Sequence, residues 1–477
     1  MANSIKEKAV KGVSWNLIER FGIQGIKFVL GVILARLLTP EDFGLIGMIT
    51  VFFAVAQVFI NSGFGTAYVQ KKEVTDIDAN TVFYTNLIIS LVLYALLWLA
   101  AEAIADFYKE PQLVELTRAM GLVVIINAFN VIQIAQVTRN IDFKRKTKVT
   151  LIATLISGLS GVTTAYYGLG VWSLVIQQLA NRFLTTTGLW ITNKWKPTFT
   201  FSMVSFKSMF AFGLWVLITG IIKTVFDNIY ILTIGKFFPA AQLGFYTKSK
   251  QFQSLGSTQL ARSVGSVAFP IFSQIQENKK KLQDVMRQFL QHTMVLTVPI
   301  MVTLMVIAKP FVILLLTDKW APMIPYLQLL CFAGILYPLH AVNVQVLLAQ
   351  GKSNLNFRLT LIKNSLRILN IIVMYRWGVE HIIIGEVILS IIALVINTFY
   401  TKKFINYGFI KQLNDIKEIV LGAVFAGIIG YFVSYKLGNL CYVFFVGVLI
   451  TVLMFIAIQY LFNKRLLEKA ISLKKYF

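Results

Sequence analysis

Lysines and arginines of this chain recur inside stretches that are otherwise apolar, and they do so at helical spacing. In the stretch 15–38, Asn16, Arg20, Gln24, Lys27 and Gly31 follow steps of 4, 4, 3 and 4, which is one face of a helix. Gln178, Asn181, Arg182 and Thr185 form a second such face, and Thr219, Lys223, Asp227 and Tyr230 a third. Thr360, Lys363, Arg367 and Asn370 form a fourth. Tyr246, Lys250, Gln253 and Ser257 align, with Gln259, Arg262 and Ser266 on a neighbouring stripe. A charge at the centre of a membrane helix costs about 2.5–3.5 kcal/mol. Half a dozen facing lipid would cost roughly 15–20 kcal/mol, more than the net stability of a typical fold. These groups are therefore expected to face one another or a wet cavity. Their sign favours an anionic passenger: phosphate and pyrophosphate pair with Arg forks and Lys point charges. The Gln, Asn, Ser, Thr, Tyr and Trp side chains around them suit sugar hydroxyls.

Each face also has a structural alternative. Arg20, Arg36 and Arg118 lie near the ends of apolar stretches, where long side chains snorkel. Lys223 and Asp227 stand at i,i+4 and are able to close as an ion pair. Lys27, Arg182, Lys250, Arg262 and Arg367 have no acid three or four residues away, which points to a solvated path.

The elements that must carry these residues are membrane helices. The chain has 477 residues, 57% of them hydrophobic, and a mean hydropathy of +0.71. A soluble protein of this length does not hide that much apolar surface. Fourteen candidate spans are read at about residues 15–38, 43–64, 81–105, 115–137, 148–168, 171–192, 208–233, 242–272, 285–308, 322–348, 356–377, 381–400, 416–435 and 439–462. The formal charge of +24 is interleaved with these spans and not gathered on a polar domain, which speaks against nucleic acid as a partner. Alternate connecting segments carry 28 and 8 basic residues, so both termini are expected in the cytoplasm. The span 242–272 is polar enough to be read as a loop; without it the alternation would invert, so it is expected to be a helix facing protein or water.

The halves resemble each other. Pro40-Glu41-Asp42-Phe43-Gly44 is matched by Pro239-Ala240-Ala241-Gln242-Leu243-Gly244, Asn140-Ile141-Asp142-Phe143 by Asn354-Leu355-Asn356-Phe357, and Gly170-Val171 by Gly378-Val379, at offsets near 200, 214 and 208. This pattern predicts an all-α polytopic membrane protein with two pseudo-symmetric six-helix lobes, at 1–200 and 201–405. A parallel repeat of this kind places a site between the halves. Residues 406–477 are expected to form a C-terminal hairpin and a basic tail.

Other signals carry little chemistry. Asp76-Ile77-Asp78 has metal-binding spacing without an α/β domain around it, and reads as a helix cap. Cys331 and Cys441 lie in apolar stretches and imply no disulfide. His292, His340 and His381 lack metal-ligand spacing. There is no Walker A sequence, and no cleavable signal peptide is expected, because Lys6, Lys8 and Lys11 lead into a charged span. The longest external connection is read near 309–321, too short for a catalytic domain. Gly158 and Gly161 are one residue too close for the small-xxx-small pattern. No cofactor and no enzymatic activity are expected.

The run Leu34-Ala35-Arg36-Leu37-Leu38-Thr39-Pro40-Glu41-Asp42-Phe43-Gly44, followed by Asn61-Ser62-Gly63-Phe64-Gly65-Thr66-Ala67-Tyr68-Val69-Gln70, resembles the N-terminal signature of bacterial polysaccharide transporters. These form the Wzx-like branch of the multidrug/oligosaccharidyl-lipid/polysaccharide exporter superfamily. Asp227-Asn228 through Gly244-Phe245-Tyr246, and Phe269-Pro270-Ile271-Phe272-Ser273, are similar to the same branch. The resemblance implies a two-lobed inner-membrane flippase that moves undecaprenyl-diphosphate-linked oligosaccharide to the outer leaflet by alternating access. It also implies a C-terminal hairpin beside a lipid-tail groove, and polysaccharide polymerase machinery and membrane lipids as partners. Cationic cavity residues are a family requirement; Lys27, Arg182, Lys223 and Arg367 are candidates by position, with Lys250 and Arg262 beside them. Acids able to couple an ion are few: Glu19, Asp227 and Glu386. The alternative on the same scaffold is a multidrug/cation antiporter, which would require acid-lined faces. A membrane glycosyltransferase or polymerase would require catalytic carboxylates on a loop or external domain.

Overall fold

The computed structural model describes residues 2–61, 64–193 and 195–471; side chains at 2–14, 16–17, 61, 211–216, 266 and 462–471 are not among those described. Asn16, Ser266, Ser62-Gly63, Lys194 and the basic residues at both ends named above therefore lie outside the described residues. Among the described residues all regular structure is helical. The chain divides into two compact units, Met1–Gly244 and Phe245–Phe477.

The first unit contains α1 (Ala2–Leu37), α2 (Pro40–Asn61), α3 (Phe64–Gln70), α4 (Asp76–Tyr108), α5 (Leu113–Arg139), α6 (Phe143–Tyr166), α7 (Trp172–Thr192), α8 (Met203–Asp227) and α9 (Ile229–Phe237). Helix α1 packs on α6, α6 on α7, α4 on α5, and α5 on α7. A Cβ on Gly158 would lie 1.9 Å from a methyl of Leu30, so the Leu30 side chain of α1 packs directly on the α6 backbone there. Aromatic rings fill the space beside α3: Phe83 packs edge-on to Phe129, Trp190 and Trp195, and Trp190 Nε1 donates to the Phe129 carbonyl at 2.9 Å.

Helix α10 (Ala240–Gly256) begins in the first unit and runs into the second. There follow α11 (Thr258–Gln274), α12 (Lys279–Val306), α13 (Ala308–Leu316), α14 (Ile324–Ala349), α15 (Ser353–Met374), α16 (Val379–Ile405), α17 (Phe409–Tyr435) and α18 (Leu440–Ile471). The region 309–321, read as a connection, is folded as most of α13 and part of a 3-10 turn at Asp318–Met323. The core of this unit joins Phe272, Met286, Met294 and Val298 to Ile416, Ile419, Ala423 and Phe455, so the C-terminal hairpin is built into it.

Each of the fourteen expected spans falls on a helix or a broken pair. Among the described residues, nine helical segments are long and apolar enough to cross a bilayer, or ten if the pair α8–α9 is one span. The expected spans that fall short, α1, α7, α15 and α10–α11, bear the polar faces other than that of Lys223 and Asp227 on α8–α9. The pair α8–α9 bends by 47° at Asn228, whose side chain donates to the Thr224 carbonyl at 2.8 Å and satisfies a group released by the break. Helices α10 and α11 part at Ser257, where Gln253 Nε2 donates to the Ser257 hydroxyl at 2.7 Å. Large side chains such as Leu99 and Phe445, 77% and 68% exposed, cover the outer faces, as lipid contact requires.

The unit boundary at 244 lies beyond the repeat boundary read near 200, because α8 and α9 pack on α2 and α4. The matched Pro-to-Gly segments meet at the end of the first unit. A Cβ on Gly44 would lie 1.8 Å from the Ala240 carbonyl oxygen, and a Cβ on Gly244 would lie 1.9 Å from that of Pro40. Backbone blocks both positions, so no side-chain rotation relieves the clash. Gly170 and Gly378, also matched, both take positive φ, at 54° and 102°, ahead of α7 and α16.

Inside the second unit a buried polar network holds α14, α16 and α17 together. Gln412 Nε2 donates to Asn343 Oδ1 at 3.0 Å and to the Tyr407 carbonyl at 3.0 Å, Asn343 Nδ2 donates back to Gln412 Oε1 at 2.9 Å, and the Thr401 hydroxyl donates to Asn343 Oδ1 at 2.8 Å. Tyr407, in the α16–α17 connection, donates to Asp415 at 2.8 Å; burial, and then that carboxylate, push its phenol well above the ordinary range and keep it a donor. Arg287 of α12 pairs with the same Asp415 at 2.5 Å.

Two predictions follow from this packing. Gly44→Ala and Gly244→Ala each lower the melting temperature of the detergent-solubilised protein, at a cost of about 1–3 kcal/mol each. Gln412→Leu removes two of the hydrogen bonds of buried Asn343, which keeps those to the Thr401 hydroxyl and the Leu339 carbonyl, a loss of about 1–3 kcal/mol. The double variant Gln412→Leu/Asn343→Leu is less destabilised than the sum of the two single variants in the same melting measurement.

Candidate functional site

In the first unit the polar faces of α1 and α7 divide by role. Asn181 of α7 donates to the Ser157 hydroxyl of α6 at 3.1 Å and serves helix packing. The neighbouring Arg182 is exposed and stands within electrostatic reach of Lys27 of α1, itself exposed. Neither makes an ion pair or hydrogen bond among the described residues. Two like charges without a carboxylate between them form a ready site for an anion. Arg182 also borders a cavity of about 480 Å³ inside this unit. Gln57 of α2, Thr66 of α3, and Asn127, Asn130 and Thr138 of α5 supply its polar lining, and Val69, Val131 and Ile134 its apolar walls. Asn127 Nδ2 donates to Gln57 Oε1 at 2.5 Å.

Several other charges of this unit are paired. Glu19 is buried and accepts from Lys146 at 3.1 Å and from the Thr150 hydroxyl at 3.3 Å, so α1 and α6 share a closed ion pair. Lys223 and Asp227 pair along α8 while both remain exposed. Arg118 is paired with Glu102 at 3.0 Å and lies over the Trp98 ring at 4.9 Å. Asp78, from the segment with metal-like spacing, is held by Lys71 at 2.7 Å and by the Thr75 backbone N–H at 3.0 Å in a capping box; it starts α4 as expected.

In the second unit the cations gather around α15, α16 and α10. Lys363 Nζ donates to Asn397 Oδ1 at 3.3 Å, and Arg367 Nη1 to Asn364 Oδ1 at 3.2 Å. The amide of Asn397 meets His340 Nδ1 at 3.1 Å, and Ser390 meets its Nε2 at 3.1 Å, so the imidazole braces the carboxamide that holds Lys363. Lys250 donates to Tyr246 OH at 2.8 Å, Tyr246 OH donates to Glu386 at 3.3 Å, and Lys250 reaches Glu386 itself at 3.6 Å. The acid missing from the local sequence around Lys250 thus arrives from α16. Arg262 of α11 is exposed and makes no ion pair or hydrogen bond among the described residues.

The structure therefore brings Lys27 to Arg182 in one unit, and Lys363 and Arg367 into the neighbourhood of Glu386 and His340 in the other. Asn127, Asn130, Gln57 and Asn397 escaped sequence reading. The amides of α5, at Asn127, Asn130, Gln133 and Gln136, step by three along one helix and were the available signal.

Residues 33–325 match the family described as polysaccharide biosynthesis protein. The chain is 24% identical to the lipopolysaccharide biosynthesis protein WzxC of Escherichia coli over 83% of its own length and 81% of that protein. It is 26% identical to the succinoglycan biosynthesis transport protein ExoT of Rhizobium meliloti over 71% and 69%. The solved structure of the lipid II flippase MurJ in an inward closed conformation shares the fold, with a TM-score of 0.79 and 17% identity, covering 95% of this chain and all of that one. The chain belongs to the polysaccharide biosynthesis protein family.

Proposed function

We propose that this protein is a flippase of the bacterial inner membrane that carries undecaprenyl-diphosphate-linked oligosaccharide from the cytoplasmic to the outer leaflet for surface polysaccharide synthesis. It crosses the membrane fourteen times with both termini in the cytoplasm, and it works by alternating access. The observation that carries this reading is Arg182: a guanidinium with no carboxylate partner among the described residues, near Lys27, at the edge of an amide-lined cavity. In a membrane protein an uncompensated cation of this kind is retained for a passenger of opposite charge. The diphosphate would engage Lys27 and Arg182, and in turn Lys363 and Arg367, while the polyprenyl tail stays in hydrocarbon. Lys250 already has Glu386, and Lys223 has Asp227, so these two cations would act with their acids. Asp227 and Glu386 are the carboxylates through which an ion gradient would couple. The basic character of the faces disfavours a multidrug/cation antiporter.

Reconstitution tests the reading. Proteoliposomes holding the full chain should move a radiolabelled polyprenyl-diphosphate sugar to the face where an impermeant reagent oxidises it. A rate equal to that of protein-free vesicles would refute the proposal. Arg182→Gln and Arg367→Gln should each slow this movement by about 10–100-fold, the loss of one charge-assisted contact of about 1.5–3 kcal/mol, with normal protein levels. Lys223→Gln should be more harmful than Lys223→Gln/Asp227→Asn, because the single variant strands a carboxylate and the double variant does not.

A further inference from the structure

We infer that the cavity inside the first unit is a binding site for a sugar ring of the carried glycan, separate in chemistry from recognition of the diphosphate. The inference rests on the flippase reading and names what this cavity holds. Its volume of about 480 Å³ lies within the range of small-molecule sites. Five of its six polar lining residues carry a carboxamide or a hydroxyl, Gln57, Thr66, Asn127, Asn130 and Thr138, beside Arg182 as the one charged group among the lining residues.

The kind of polar group decides the ligand. Carboxamides and hydroxyls donate and accept, and so do sugar hydroxyls. A diphosphate at neutral pH only accepts, and it would leave carboxamide oxygens facing it without a donor. Asn130 sharpens the point. It lines the cavity, it is only 4% exposed, and its side chain makes no hydrogen bond among the described residues; its Oδ1 is buried without a partner. A ligand hydroxyl that reaches this carboxamide on a small rotation of the side chain gives it the partner that it lacks. Gln57 and Asn127 are tied to each other by one bond, Asn127 Nδ2 to Gln57 Oε1, which leaves the Gln57 amide N–H groups and the Asn127 carbonyl oxygen for a ligand. Arg182 donates to a ring or hydroxyl oxygen from α7, and Val69, Val131 and Ile134 offer apolar walls to the C–H faces of a pyranose. The neighbouring Lys27–Arg182 pair would hold the diphosphate at the edge of this cavity while the sugar enters it.

The test uses the full chain in detergent and two probes. One is the repeat-unit oligosaccharide released from the cell's own surface polysaccharide, observed by saturation-transfer NMR and calorimetry. The other is inorganic pyrophosphate. The wild type should bind both. Asn130→Leu should weaken the oligosaccharide by about 10-fold, the worth of one buried hydrogen bond, and leave pyrophosphate binding unchanged. Gln57→Leu, on a different helix, should do the same, which covers the case in which Asn130→Leu fails to fold. An oligosaccharide that does not bind the wild type, or binds both variants as tightly as the wild type, overturns the inference. Transbilayer movement of the lipid-linked sugar by the wild type, measured in the same preparation, separates the two claims: movement with unaltered saccharide binding in the variants sinks only the sugar site, and absence of movement sinks the flippase.

Discussion

A polar group placed among apolar helices has to find its partner inside the protein, because lipid offers none. Each feature described above answers that constraint. Threonine hydroxyls such as Thr81 and Thr154 bond back to the carbonyl four residues earlier. Asn228 caps the carbonyl that its own bend exposes. Gln412 and Asn343 exchange hydrogen bonds across the seam where the C-terminal hairpin joins the second unit. Lys27, Arg182 and Arg262 remain unpaired among the described residues, and the side chain of Asn130 makes no hydrogen bond among them.

The same constraint sorts charges that look equivalent along the chain. Glu19, a candidate for ion coupling, is closed with Lys146 and sits buried between α1 and α6. Arg118, at the end of an apolar stretch, has a carboxylate and an indole for company. Lys250 is joined to Glu386 through a buried tyrosine, so this cation has its acid although the two are far apart in sequence. Arg182, unpaired among the described residues, borders the amides of Gln57, Asn127 and Asn130.

Glycine and the carboxamides set where helices may approach. Gly44 and Gly244 occupy matched positions of the two sequence repeats, and each lies against the backbone of the other's segment.

Much of this was legible along the chain. Apolar length locates the helices, because each must bury a hydrocarbon thickness, and every expected span meets a helix. The polar segment 242–272 was readable as helical from the alternation of basic connections, and it is so, with a break at Ser257. Spacing of three and four residues placed Lys27, Arg182, Lys363 and Arg367 on faces, since helical periodicity is a local property. Tertiary structure alone decided which of those cations are neutralised. Glu386 lies 136 residues from Lys250 and Lys146 lies 127 from Glu19, and no local pattern encodes such pairs. The cavity beside Arg182 was likewise hidden, because its lining comes from α2, α3, α5 and α7, and a cavity exists only once side chains distant in sequence have been packed and one space among them left unfilled.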